Sequence, residues 1–228
     1  MKTARYSSSL CLIRGRFILA LGGYTAPSIA TQQCEVYDTQ LDHWFPMADL
    51  PIPQFVNSTA VVMNHRTVYL MPGGSGTSTR EGQQLLGAGL KSSQCTIWYL
   101  DTGSRTEYAG DKNSKEYGAI IGEKLWQSLT VDSADLAKAM PTAGIQLNST
   151  QILVFGGQRT TTFILDVGES GSFDGARIKT CRPCLRSRGM FGHESDYVAR
   201  SFGHMIYMVD ANQMNLHVYS AKDLGWNA

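Results

Sequence analysis

Apolar residues along this chain fall in short runs separated by Gly, Pro, Asn, Asp and Ser, and within several runs they alternate with polar ones. Short runs with a period of two predict strands, because successive side chains of an extended backbone point to opposite faces. Ser9-Leu10-Cys11-Leu12-Ile13 and Phe17-Ile18-Leu19-Ala20-Leu21 are the first two, with Arg14-Gly15-Arg16 between them as a turn. The basic turn matters for a second reason. Lys2 and Arg5 precede an apolar stretch, as in a targeting leader, but Arg14 and Arg16 break that stretch. A leader carries an unbroken apolar region of about 7–15 residues, and a membrane span about 18 or more. A hairpin is expected here, with no membrane segment. The segment with helix-forming composition is Ser133–Met140, long enough for a short helix only.

The runs recur in a fixed order. Phe17–Leu21 ends in Gly22-Gly23, Val68–Met71 is followed by Pro72 and Gly73-Gly74, and Ile152–Phe155 ends in Gly156-Gly157; Ile206–Val209 is a fourth such run without the glycines. Gly22 and Gly73 are 51 positions apart, Gly73 and Gly156 are 83 apart, and Gly156 and Val209 are 53 apart. A period near 50 with one interval stretched reads as a repeat of one supersecondary unit carrying an insertion. Downstream of the first run, Cys34-Glu35-Val36-Tyr37-Asp38 leads to Trp44; downstream of the last, Leu216-His217-Val218-Tyr219-Ser220 leads to Trp226. The second repeat offers Ile97–Asp101 and a displaced Trp126, the third Phe163–Asp166 without a tryptophan. Upstream of the runs lie segments of small and apolar residues: Tyr6–Leu12, Val56–Val62, Thr142–Leu147 and Tyr197–Ser201. Residues this small suit a strand where neighbouring units crowd together.

This order of strand, turn, strand ending in Gly-Gly, strand ending Tyr-Asp, turn and Trp resembles the kelch repeat over essentially the whole chain. The resemblance implies an all-β, kelch-type β-propeller of about four antiparallel blades; since kelch rings usually hold more, it is either a small ring or an incomplete or open array whose missing blades a second chain supplies. Blades are expected over roughly 1–50, 51–137 with the insertion, 138–185 and 186–228 of a single domain. It further implies structural roles for Gly22, Gly23, Tyr37, Trp44, Gly73, Gly74, Trp126, Gly156, Gly157, Tyr219 and Trp226. The glycines would allow strand-end turns, and the aromatic rings would pack between neighbouring sheets. None of these roles is catalytic.

Composition narrows the partners. Lys and Arg total 20 against 19 Asp and Glu, so no global field draws the chain to nucleic acid or to an anionic membrane. The five cysteines, at 11, 34, 95, 181 and 184, are an odd set in largely apolar surroundings, as expected of reduced thiols in a cytoplasmic protein. Asn57-Ser58-Thr59 and Asn148-Ser149-Thr150 match the glycosylation pattern but are expected to be strand and turn residues.

Candidate chemistry is sparse. Cys181-Arg182-Pro183-Cys184 has the spacing of a zinc or redox pair. Zinc needs four ligands, and a redox pair opens a helix in an α/β setting, so loop thiols are expected instead. Arg177, Lys179, Arg182, Arg186 and Arg188 form a basic stretch read as a solvated rim. His193-Glu194-Ser195-Asp196 is a polar cluster just before an inner strand, where it could face the central channel, and a metal or acid–base role there would require further partners converging on it. The polar insert at 102–125 and the loop at 74–93 are the places where recognition is expected. No cofactor and no metal are expected. The leading expectation is a non-catalytic scaffold binding a protein partner, with self-association or partner-assisted closure of the open array. The alternative is an enzyme on the same fold, a copper-radical oxidase or sugar mutarotase. The oxidase type requires Tyr and His ligands, and the five histidines at 43, 65, 193, 204 and 217 show no matching motif.

Overall fold

The first apolar runs form the expected hairpin: β1 (Ser9–Ile13) and β2 (Phe17–Leu21) pair antiparallel from Ser9 opposite Leu21 to Ile13 opposite Phe17. The computed structural model describes residues 1–27, 29–51, 58–71, 94–103, 121, 124–139, 143–155, 162–168, 177–181, 197–210, 215–222 and 225–227. In the turn, Arg14 and Gly15 take φ of 54° and 66°, and the Arg16 N–H donates to Ile13 O at 3.1 Å. Two successive positive φ values match the right-handed twist of the flanking strands. The next hairpin repeats this device with Asn64 and His65 at 52° and 57° and Arg66 N–H on Met63 O at 3.0 Å.

Among the described residues, four antiparallel sheets of four strands follow one another along the chain, each a meander in sequence order, and none closes on itself. Sheet 1 holds β1, β2, β5 (Cys34–Asp38) and β6 (His43–Pro46), with a small hairpin of β3 (Tyr24–Ala26) and β4 (Ile29–Ala30) leaving it between β2 and β5. Sheet 2 holds β7 (Thr59–Met63), β8 (Thr67–Met71), β9 (Gln94–Asp101) and β10 (Gln127–Asp132). Sheet 3 holds β11 (Ala143–Gln146), β12 (Gln151–Phe155), β13 (Thr162–Asp166) and β14 (Arg177–Cys181). Sheet 4 holds β15 (Tyr197–Phe202), β16 (Met205–Asp210), β17 (Asn215–Ser220) and β18 (Gly225–Asn227). The helix-forming segment is helical as α1 (Ala134–Ala139), started by Ser133, whose Oγ accepts the Leu136 N–H at 3.2 Å.

The core is divided among the gaps between successive sheets. Leu19, Leu21 and Val36 of sheet 1 meet Val68, Leu70 and Leu100 of sheet 2. Tyr69, Met71 and Ile97 on the other side of sheet 2 meet Ile152, Val154 and Leu165 of sheet 3. Leu153, Phe155 and Ile164 then meet Ile206, Met208 and Tyr219 of sheet 4. Along β8 and β12, adjacent residues serve opposite gaps, which is why these runs are continuously apolar instead of alternating.

The opening strands of the sheets adjoin: β1 lies by β7, β7 by β11 and β11 by β15. Their small residues have a measurable reason. A Cβ on Gly144 would stand 2.6 Å from Val61 Cγ2 and 3.2 Å from Thr59 Cγ2. Between β1 and β7 the approach is polar, with Ser9 Oγ donating to Ser58 O at 2.5 Å.

Candidate interaction surface

Directly opposite residues in an antiparallel ladder share a face, so the registers fix which side chains stand on the two ends of the stack. On sheet 1, Leu12 pairs with Ile18, Ile18 with Tyr37 and Tyr37 with Trp44; Leu10 pairs with Ala20. This row points away from sheet 2. Leu10 and Leu12 are 64% and 53% exposed, and Tyr37 and Trp44 are half-buried. On sheet 4, Tyr207 pairs with Val218 and Val209 with Leu216, on the side away from sheet 3. Tyr207, Val209 and Leu216 are 39%, 39% and 57% exposed. The described residues thus present a largely apolar face at each end of the stack, with exposed Arg200 opposite Tyr207 on the second. Apolar patches of this kind mark association sites.

The repeat residues take distinct positions. Gly22 and Gly23 have φ of 60° and 95°, as expected of a strand-end turn, and a Cβ on Gly23 would stand 2.7 Å from Tyr6 O. Trp126 is buried between sheets 1 and 2, its Nε1–H donating to Ala48 O at 3.3 Å. Tyr219 is buried between sheets 3 and 4. Trp226 pairs with Tyr219 in the ladder. Tyr37 and Trp44 differ from the expectation. Their rings meet each other at 5.1 Å on the outer face of sheet 1, where no sheet precedes them. Gly73, Gly74, Gly156, Gly157 and Cys184 lie outside the described residues, as do most of the 102–125 insert, the 74–93 loop, the basic stretch beyond Cys181 and the 193–196 cluster.

What the recurrent strand-end aspartates do went unread in the sequence. Asp38, Asp101 and Asp166 each end the third strand of a sheet, and each accepts the N–H two residues on, from Gln40, Gly103 and Gly168 at 3.0, 2.9 and 3.2 Å. Such turns are a property of the short carboxylate side chain. The first two also hold an arginine from the β-hairpin opposite. Arg16 Nε and Nη2 donate to Asp38 at 2.8 and 2.6 Å, and Arg66 Nε and Nη2 donate to Asp101 at 2.6 and 2.5 Å. Burial pushes the Asp38 carboxyl up, but the Arg16 fork and the Gln40 and Leu41 amides outweigh it and hold it below the usual range. Arg66 does the same for Asp101, against a smaller burial effect. The signal was present as an Arg at the end of the first hairpin and an Asp at the end of the third strand.

A second unread feature lies on the outer side of sheet 1. Glu35, next along the Leu10–Ala20 row, takes the Lys2 N–H at 2.6 Å and Arg5 Nη2 at 2.9 Å. Arg5 also donates to the carbonyls of Gly22 and Gln33, and its side chain is fully buried. The first residues of the chain are thereby latched over part of the outer face.

The thiols of Cys11, Cys34 and Cys95 are buried and inert in this setting. Burial, with a contribution from Cys34, pushes the Cys11 thiol up to about 12. Burial likewise pushes Cys34 to about 12 and Cys95 to about 11. Among the described residues, no three His, Cys, Asp or Glu side chains group as metal ligands do, and no helix is long and apolar enough to cross a membrane. No protein-family model and no curated protein matches the chain.

Proposed function

We propose that this chain is a non-catalytic interaction scaffold built as a kelch-type propeller array, whose work is to hold a protein partner. One observation carries the reading. The recurrent side chains are consumed in packing and turns: Trp126 and Tyr219 fill gaps between sheets, and Asp38, Asp101 and Asp166 close turns. What remains unspent among the described residues is apolar surface at the ends of the stack. The meander order of every sheet and the adjoining opening strands support the propeller-type arrangement. The variable loops carry specificity for the partner, as loops on rigid scaffolds do.

Affinity capture tests this. The immobilised chain should retain a defined protein from extract in near-stoichiometric amount, displaced by excess soluble chain. Stoichiometric copper in the purified chain, or turnover of a sugar or alcohol substrate, would overturn the scaffold reading.

A further inference from the structure

The two end faces, which no sheet among the described residues covers and of which the first is crossed in part by the first residues of the chain, correspond to the two halves of an interface that the chain builds between its own sheets. Position by position from the strand-end residues Asp38 and Asp101, Tyr37 corresponds to Leu100, Ile18 to Val68 and Leu12 to Val62. Trp44 stands opposite Tyr37, and Trp126 directly precedes Gln127, which is opposite Tyr99, so the two tryptophans also correspond. In sheet 2 this face is seated against sheet 1; in sheet 1 the same face has no sheet before it.

The other end is its counterpart. Tyr207 stands two places after Met205, which is opposite Ser220; Tyr69 stands two places after Thr67, which is opposite Asp101. By the same count Val209 corresponds to Met71 and Leu216 to Ile97. Tyr69, Met71 and Ile97 are buried under sheet 3, whereas Tyr207, Val209 and Leu216 are exposed.

We infer that the chain associates head to tail with a second copy, the outer face of sheet 4 of one copy seated on the outer face of sheet 1 of the other. The interface would bring β15 of one copy beside β1 of its partner, with Arg200 and Leu10 in the places that Val61 and Gly144 hold between sheets 2 and 3, so these two strands would stand further apart than opening strands do within the chain. Complementary faces on opposite ends make the contact heterologous, and two copies joined at both ends bury every apolar face. The inference stands on the packing and does not require the scaffold reading.

Paired variants test it. Leu12→Glu places a charge on the sheet 1 face and Leu216→Glu on the sheet 4 face, both at exposed positions, so each variant should keep the wild-type circular dichroism spectrum and should melt as the wild type does at concentrations where the wild-type chain is dissociated. Wild-type chain should sediment as a concentration-dependent pair, and each variant alone as a monomer. Tagged Leu12→Glu should capture untagged Leu216→Glu, because one intact face of each kind remains, but should not capture untagged Leu12→Glu. A wild-type chain monomeric at all concentrations, a variant that still pairs with itself, or a mixture without capture would overturn the inference. Pairing would take up the end faces and leave a different protein to the loops, whereas a wild-type chain monomeric at all concentrations would leave those faces open to one.

Discussion

Tyr37 and Trp44 face each other across β5 and β6 with ring centroids 5.1 Å apart and planes inclined at 37°, on the side of sheet 1 that no other sheet among the described residues covers. Trp126 occupies the corresponding place in sheet 2, 9% exposed against sheet 1. The same side chain at the same repeat position therefore has two energetic values. Trp126→Ala should cost roughly 3–5 kcal/mol, the usual range for a buried aromatic. Trp44→Ala should cost less than that in the dissociated chain, since its ring is only half-buried and packs on one side against Tyr37. Denaturant titration of both variants at low concentration checks the ordering; equal losses would mean that Trp44 is covered.

Gly144 has its own test. Its Cβ position is occupied by Val61 from the neighbouring sheet, at 2.6 Å. Gly144→Ala should therefore destabilise by about 1–3 kcal/mol through overpacking, although alanine is ordinarily neutral or better in place of glycine. Gly23→Val should destabilise for a different reason, a positive φ combined with a clash on Tyr6 O at 2.7 Å. Val61→Ala should rescue the first and leave the second unchanged, which thermal melts of the double variants would read.

Acid should act through Asp38. Its folded carboxyl titrates below the ordinary value of 3.8, so the folded state favours the ionised form. The stabilisation is complete above the unfolded value and is lost as pH falls through the lower, folded one. Stability of the wild-type chain should accordingly drop below about pH 4, and Asp38→Asn should be less stable at neutral pH but show a shallower drop. The exposed Arg66–Asp101 pair contributes little, because solvent screens it. Melting temperatures from pH 7 to pH 2 test this; identical acid limbs would exclude Asp38 as the titrating group.

Thiol chemistry should report burial. With Cys11 and Cys34 held at about 12 and Cys95 at about 11, iodoacetamide at pH 8 should leave these three unmodified in the folded chain. Denaturant should expose all three to alkylation, as peptide mapping would show. Rapid native labelling of Cys34 would mean that the first sheet opens on the labelling timescale.

Strands were legible because alternation and Gly-bounded runs report the backbone period directly: Phe17–Leu21, Cys34–Asp38 and Ile152–Phe155 are strands as read. The crowding of opening strands was legible in their small residues, of which Gly144 is the sharpest case. Which side of a sheet meets which neighbour was not. A period of two separates Tyr37 from Val36 but does not say that only Val36 has a sheet above it. The Arg16–Asp38 and Arg5–Glu35 pairs were also hidden, since each joins residues far apart in sequence whose meeting depends on strand register. The surface that the structure offers for association comes from these register facts.

The division of the core among three gaps has a kinetic consequence. Sheets 2 and 3 each contribute to two gaps, sheets 1 and 4 to one. Stability in such a stack behaves as a chain of nearest-neighbour couplings, so opening should begin at the ends and travel inward. Amide protons of β8 and β12 should exchange slowest, those of β16 and β17 faster, and association at the ends should slow the latter most. A stack of this kind has its weakest cooperative units where it meets its surroundings, so any contact made there also sets the rate at which the whole chain unravels.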